Sequence, residues 1–163
     1  MIANRSKSYQ LTADLLKCLN QSDWIPILLV RLSVGLFFFE SGRGKLFVKF
    51  DELAEYFVQL GIPLPYLNAL VTASIEFIGG ICLILGFATR IFSAPLAFIM
   101  LVAILTAQLK TVHTLGDFLY LPEVLLLIIF VWLVFSGPGK VSIDCFLARR
   151  LGLGNLGETS KNQ

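Results

Sequence analysis

The stretch IPILLVRLSVGLFFFESGRGKL, residues 25–46, decides the fold of this chain. It is long enough to cross a bilayer, because a transmembrane helix needs about 20 mostly apolar residues. Three further apolar stretches follow it, at 66–86, 91–109 and 120–136. Since backbone polar groups in lipid must be paired internally, the sequence predicts an all-α fold. Short connections favour an antiparallel four-helix transmembrane bundle over residues 25–136.

The composition agrees with a membrane protein of one domain and excludes other classes. Of the 163 residues, 56% are hydrophobic and 15% are charged, and the mean hydropathy is +0.81. Such values are typical of polytopic membrane proteins. The net charge of +2 is too small to indicate nucleic-acid binding. The first residues lack an apolar core before a small-residue cleavage site, so we expect no cleaved signal peptide.

Lysine and arginine outside the apolar stretches predict the orientation of the chain. One side of the bundle carries Arg5, Lys7, Lys17, Arg90, Lys140, Arg149, Arg150 and Lys161. The loops on the opposite side carry Lys49 and Lys110, with Lys45 at the boundary. This asymmetry predicts that the N-terminus and the C-terminus are both cytoplasmic.

Flanking segments have the pattern of amphipathic helices at the membrane interface. Residues 1–24 form a predicted cytoplasmic amphipathic segment, and 137–151 a predicted cytoplasmic interfacial helix with Ser142 as its N-cap. On the opposite side, a stripe at helical spacing predicts a third helix of this kind: Leu53, Tyr56, Phe57 and Leu60. The polar, Gly-rich residues 152–163 predict a disordered tail.

Ionisable residues interrupt the apolar stretches and form the candidate ligand site. Three cations and three anions are expected to make one internal polar site: Arg31, Glu40, Arg43, Lys45, Glu76 and Glu123. Each costs about 2.5–3.5 kcal/mol on insertion scales unless it is paired or lines a polar cavity. Helix rise places Glu76 near the midplane, Arg31 nearer the cytoplasmic side, and the other four residues in one outer layer. Glu40 and Arg43, three residues apart, are expected to pair on one helix face.

Two interpretations of this set stay open: a ligand or proton site, and a structural ion-pair network that fixes the order of the helices. Lys45 and Arg31 also have a simpler interpretation as interfacial anchors, because long basic side chains extend towards water. Glycine residues next to these charges are expected to allow close approach of another helix or a ligand: Gly42, Gly44, Gly79 and Gly80.

The chain lacks the residues that several kinds of chemistry require. Cys18, Cys82 and Cys145 form no Cys-x-x-Cys pair, and one histidine is too few for a membrane haem. His113 and Asp117 are outer-loop candidates at i, i+4, but two such residues are a weak pattern for a metal, and we predict no metal site. No phosphate-binding loop or nucleophile elbow is present. We therefore expect no intrinsic cofactor and no assignable catalytic residue, and any redox role would use a diffusible quinone or a partner protein.

A set of short motifs and single residues occurs in order over residues 27–150: Arg31-x-x-x-Gly35, FESGRGKL (39–46), LGIP (60–63), EFIGG (76–80), GFATR (86–90), His113, Glu123 and GPGKVSID (137–144). By the order and spacing of these features the chain resembles the DoxX family of small four-helix membrane proteins. Family members often carry an apolar or aromatic residue where Glu40 stands, so this carboxylate departs from the pattern.

The resemblance implies a location and a range of functions. It implies a multi-pass protein of the bacterial inner membrane, associated with quinol oxidase, with thiosulfate:quinone oxidoreduction or with oxidative-stress enzymes. The favoured hypothesis is a quinone- or quinol-linked redox accessory subunit of an oxidoreductase complex, with a membrane or periplasmic redox partner. The alternatives are a non-enzymatic scaffold or chaperone for a partner protein and, less favoured, a small-solute or proton transporter. A homodimer is compatible with each of them.

Overall fold

A computed structural model describes residues 24–108, 112, 114–139 and 141–150 of the chain. In these ranges the regular secondary structure is entirely helical, which confirms the all-α prediction. Its elements are α1 (Trp24–Phe47), α2 (Phe50–Gln59), α3 (Pro65–Leu85), α4 (Thr89–Ala103) with a π-helical turn (Ile104–Gln108), α5 (Leu115–Leu119), α6 (Pro122–Ser136) and α7 (Ile143–Arg150). Residues 1–23 of the expected N-terminal segment and the expected tail lie outside the described residues.

α1 and α3 form one pair, in which glycine allows direct contact between the two backbones. A Cβ added at Gly42 would lie 2.3 Å from the backbone nitrogen of Phe77, and one added at Gly80 would lie 2.4 Å from that of Phe39. Small residues allow membrane helices to approach each other in this way. Phe39 of α1 contacts Gly80 of α3, whereas Gly42, further along α1, contacts Phe77, which comes earlier in α3. The two helices are therefore antiparallel. The expected close approach therefore occurs at Gly42 and Gly80, whereas a Cβ at Gly44 would meet nothing within 4 Å.

α4 and α6 form the second pair, and a buried apolar core joins the two pairs. Phe38 of α1 and Phe130 of α6 meet edge to face, with ring centroids 5.0 Å apart. Around them lie the fully buried Leu83, Leu96 and Leu133, contributed by α3, α4 and α6. Since lipid tails are as apolar as these side chains, close packing stabilises the association of the helices more than hydrophobicity does.

Within the described ranges, three helices are long and apolar enough to cross a membrane. They are α1 with 24 residues, α3 with 21 residues, and α4 with its π-helical turn, 20 residues in all. α6 has 15 residues, or about 22 Å at about 1.5 Å per residue, less than a hydrocarbon core of about 30 Å. It begins at Pro122, a residue favoured in the first helical turn, and ends before Gly137. The expected span 120–136 is thus a shorter apolar helix, and a fourth crossing stays a prediction.

Short amphipathic helices follow α1 and α6. α2 carries the predicted apolar stripe, and Leu53, Tyr56, Phe57 and Leu60 of that stripe border a cavity between α2 and the longer helices, with Tyr56 still 45% exposed. α7 begins after Ser142, whose Oγ accepts a hydrogen bond from the backbone N–H of Cys145 at 3.1 Å. This bond confirms the predicted N-cap, because an N-cap side chain pairs with a free N–H group of the first turn.

Candidate functional site

A cavity of about 760 Å³ lies between α1, α3, α4 and α6, and α2 contributes to its wall. Most of its lining side chains are apolar, and the aromatic rings of Phe38, Phe57 and Phe98 are among them. The charged side chains on this wall are Lys45, Glu76 and Glu123. Pockets for small organic molecules have volumes of about 300–1,000 Å³ and mostly apolar walls with a few polar groups. The cavity has both properties.

Lys45 and Glu76 form an ion pair on the wall of this cavity. Nζ of Lys45 lies 2.7 Å from each carboxylate oxygen of Glu76 and donates a hydrogen bond to both. Ser41 Oγ donates a further bond to Oε2 of Glu76 at 3.0 Å. The side chain of Glu76 is 1% exposed and that of Lys45 is 34% exposed. A carboxylate so deeply buried is costly unless it is paired, and the ammonium group and the hydroxyl provide that pairing.

The sequence of α1 explains how Lys45 reaches the interior. Ser41 and Lys45 are four residues apart and therefore lie on one face of the helix. Gly42 brings that face against the backbone of Glu76 and Phe77, so the distance that the lysine side chain must span is short. The simpler interpretation of Lys45 as an interfacial anchor does not describe this geometry, because its ammonium group points to Glu76.

Glu123 lies on a different part of the cavity wall, formed by α6 and the π-helical turn. Gln108 Nε2 donates a hydrogen bond to Glu123 Oε1 at 3.1 Å. The other carboxylate oxygen, Oε2, is buried and has no hydrogen-bond partner among the described residues. π-Helical turns are rare and often occur at functional sites. Here the turn carries Gln108, the residue that holds Glu123.

Glu40 and Arg43 form the expected ion pair but do not belong to the cavity. Arg43 Nη2 lies 2.8 Å from Glu40 Oε2, which confirms the predicted pairing, and the two side chains are 56% and 61% exposed respectively. They lie on the outward face of α1, because the inward face at this level is occupied by Ser41, Gly42 and Lys45. The structure therefore does not place them in one internal site with Glu76.

Arg31 lies at the opposite end of α1 and makes a separate set of contacts. Its guanidinium group donates hydrogen bonds to the backbone carbonyl of Pro138 and, at 2.8 Å, to that of Val141. The side chain is 2% exposed. Asp144 strengthens the same region, since its carboxylate accepts a bond from the backbone N–H of Ala88 at 2.9 Å. Arg31 thus fastens the segment after α6 to the bundle and has no contact with the cavity.

This geometry predicts that Arg31→Met lowers the free energy of unfolding by about 1.5–3 kcal/mol, because two part-buried hydrogen bonds lose their charged donor. The effect is measured by thermal unfolding of the purified protein in detergent. Arg90→Met is the matched control, since exposed Arg90 makes one long bond, of 3.3 Å, to the carbonyl of Phe135. We expect the control to change stability by less than about 1 kcal/mol. Equal losses in the two variants would contradict the fastening role.

Of the two outer-loop candidates, His113 and Asp117, the structure describes Asp117. Asp117 caps α5: its backbone N–H donates to Thr114 Oγ1 at 3.1 Å, and its Oδ2 accepts from the Thr114 N–H at 3.0 Å. This reciprocal capping box is a structural role. His113 lies outside the described residues. Among the residues that are described, no three His, Cys, Asp or Glu side chains come together as a metal-binding group.

Sequence reasoning did not select Ser41, Gln108 or Asp144 as site or fastening residues. The spacing of Ser41 from Lys45 could have indicated it, because it places the hydroxyl on the face of the ammonium group. Gln108 is an amide at the end of an otherwise apolar stretch. Asp144 gave no comparable signal, since an acidic residue in a first helical turn is ordinary.

These features define a class: a small helical membrane protein with an ion pair on the wall of a mostly apolar cavity. Within that class, the chain belongs to the DoxX family, whose model matches residues 27–109. The resemblance predicted from the sequence motifs is therefore confirmed.

Relatives match the chain well beyond the region of the family model. It is 33% identical over 138 residues to "Putative oxidoreductase CatD" of Bacillus subtilis (strain 168), covering 85% of this chain and 98% of that protein. It is 30% identical to the uncharacterized membrane protein Rv3486 of Mycobacterium tuberculosis, covering 76% and 82% of the two chains. It is also 30% identical to the inner membrane protein YphA of Escherichia coli, covering 74% and 89%. No solved structure matches the chain.

Proposed function

We propose that this protein is a quinone- or quinol-linked redox accessory protein that binds the quinone ring in the cavity beside Lys45 and Glu76. The observation that carries the proposal is an ion pair between half-buried Lys45 and buried Glu76 on the wall of a mostly apolar cavity of about 760 Å³. The name of the relative from Bacillus subtilis agrees with a redox role. The protein contributes binding and positioning, and a partner protein contributes the electron-transfer cofactor.

The polar groups of the cavity can hold the oxidised form of the ring, a quinone, and also its reduced form, a quinol. An ammonium group has three N–H donors, and Lys45 uses two of them on Glu76. The third is available to donate to a quinone carbonyl or a quinol oxygen. Glu76, which is 1% exposed and already accepts three hydrogen bonds, holds that ammonium group in place. The aromatic rings of Phe38, Phe57 and Phe98 supply apolar surface for the ring of the ligand.

The proposal includes a location in the inner membrane with four crossings. The relative from Escherichia coli is named an inner membrane protein, and the excess of lysine and arginine supports cytoplasmic termini. The ion pair would then lie towards the periplasmic side, because α1 runs outward and Lys45 is near its end.

Glu76→Gln is expected to weaken quinone binding roughly tenfold, because the neutral amide keeps at most one, weaker hydrogen bond to the Lys45 ammonium group and no longer fixes its orientation. The measurement has two parts: mass spectrometry of small molecules that copurify with the protein, and equilibrium dialysis of a short-chain benzoquinone against it in detergent. Glu40→Gln is the matched control, since the same substitution lies outside the cavity, and it should leave binding unchanged. Wild-type protein that neither contains nor binds quinone would refute the proposal.

The same purification tests the second candidate, a scaffold or chaperone for another membrane protein. The exposed Glu40–Arg43 pair on the outward face of α1 favours it, because charges on a membrane helix are commonly paired with a neighbouring protein segment. A stoichiometric membrane-protein partner that is lost in a variant with both charges removed, with no bound small molecule, would support the scaffold.

A further inference from the structure

The cavity is much larger than the ring that the proposed function places in it. Its volume is about 760 Å³. The eight heavy atoms of a benzoquinone fill about 240 Å³ even if each takes the volume of one water molecule in the liquid. An apolar wall without an occupant lacks the dispersion contacts that a filling group would make. The size of the cavity therefore indicates a ligand that has a second, larger part.

The part of the cavity that lies away from Lys45, towards the start of α1, has an apolar lining. We call this part the inner pocket, and its lining side chains are Phe37, Phe38, Ile75, Pro95, Phe98 and Ile99. Phe38 comes seven residues before Lys45 in α1, a distance of about 10 Å along the helix axis. Glu76 borders the inner pocket, but its side chain is buried and its carboxylate is bonded to Lys45. The inner pocket therefore suits a hydrocarbon group.

Two rings of the inner pocket also reach the outside of the bundle. Phe37 is 57% exposed and Phe98 is 65% exposed, and both line the cavity. Each lies ten residues before the end of a helix that is long and apolar enough to cross a membrane. That spacing is about 15 Å, half of a hydrocarbon core of about 30 Å, so lipid surrounds the bundle at this depth. A chain longer than the inner pocket can continue past these rings into lipid without meeting water.

We propose that the inner pocket is the subsite for a hydrocarbon chain on the quinone, and that the ligand lies with its ring beside Lys45 and its chain directed towards the middle of the membrane. This inference rests on the proposed function and adds to it the class of the ligand and its orientation. The opposite orientation would direct the chain towards the helix ends, where Asn68 and Gln108 line the cavity and the hydrocarbon core ends.

The volume of the cavity also limits how much of the chain it can hold. The five carbon atoms of a prenyl unit fill about 150 Å³ when they are counted in the same way as the ring atoms. The space that the ring leaves therefore accommodates about three prenyl units. Further units extend past Phe37 and Phe98 into lipid and make no additional contact with the cavity.

The test measures how benzoquinones with no, one, two, three or four prenyl units displace a radiolabelled short-chain benzoquinone from the full chain in detergent. Ligand concentration is expressed as the mole fraction in the micelles, so that partition of longer chains into detergent is not counted as binding. Wild-type protein should bind the quinone with three units roughly tenfold more tightly than the ring alone, because the chain restores dispersion contacts in the inner pocket. The fourth unit should add nothing.

Two tryptophan variants of α4 locate this effect. Ile99→Trp fills part of the inner pocket and should remove the dependence on chain length while the ring alone still binds. Leu101→Trp is the matched control, since it makes the same kind of change at an exposed residue of the same helix that does not line the cavity. It should keep the wild-type dependence.

The series with wild-type protein decides the question even if Ile99→Trp does not fold. Equal affinity at every chain length, or affinity that still rises at the fourth unit, would overturn the chain subsite and leave the proposed function in place. A dependence that survives unchanged in Ile99→Trp would do the same. Failure of wild-type protein to bind any quinone of the series would overturn the proposed function and this inference together.

Discussion

Gly42→Ala is expected to destabilise the protein by about 3 kcal/mol, the largest effect we predict for a single added methyl group. A Cβ at this position would lie 2.3 Å from the backbone nitrogen and 2.6 Å from the Cα of Phe77. These are backbone atoms, so no side chain can rotate away, and α1 and α3 would have to separate. The free energy of unfolding in detergent, measured by chemical denaturation with circular dichroism, reports the change.

Gly44→Ala is the control for this prediction, because it makes the same substitution two residues further along the same helix. An added Cβ there meets nothing within 4 Å, and alanine is a better helix former than glycine. We therefore expect Gly44→Ala to leave stability unchanged or slightly raised. If both variants lose the same amount of stability, contact between α1 and α3 at Gly42 is not what stabilises the pair.

Separation of α1 from α3 would also affect the cavity. Gly42 contacts the backbone of Glu76 and Phe77, and Lys45 lies one turn beyond it. A wider gap would lengthen the 2.7 Å contact between Lys45 and Glu76. The packing of the helix pair and the geometry of the ion pair are therefore connected through one glycine.

The second large effect is expected for Lys45→Met, which should cost about 3 kcal/mol because it leaves the carboxylate of Glu76 buried without its cation. Glu76 is 1% exposed, and Ser41 alone would remain to donate to it. Glu76→Gln in the same chain removes the uncompensated charge and should restore most of the lost stability. Denaturation of the two single variants and the double variant gives the coupling between the residues.

Lys49→Met provides the control for the ion pair. Lys49 and Glu52 are both exposed, and their charged atoms are 3.4 Å apart, so this pair contributes at most about 1 kcal/mol. A loss of stability in Lys45→Met as small as that of the control would mean that Glu76 is solvated. A double variant less stable than Lys45→Met would mean that the carboxylate has a role in stability beyond pairing with the lysine.

The sequence predicted those parts of the site that depend on neighbours along one helix. The Glu40–Arg43 pair and the Ser142 cap were both predicted and observed, because spacing along a helix determines whether such groups meet. The assignment of six charges to one layered site was not reproduced as a whole. Depth in the membrane follows from position along a helix, but the direction in which a side chain points around the axis depends on which helices are neighbours.

The sequence by itself determined that the chain is helical, membrane-embedded and a member of the DoxX family, since these properties follow from apolar length and from motif order. Only the tertiary structure decided which charges meet. The contact of Gly42 with the backbone of α3 places Lys45 beside Glu76, while Glu40 and Arg43 pair with each other on the outward face. Arg31, at the other end of α1, binds the segment after α6. The physical reason is that these partners are brought together by packing between helices, whose rotation about their axes no local pattern specifies.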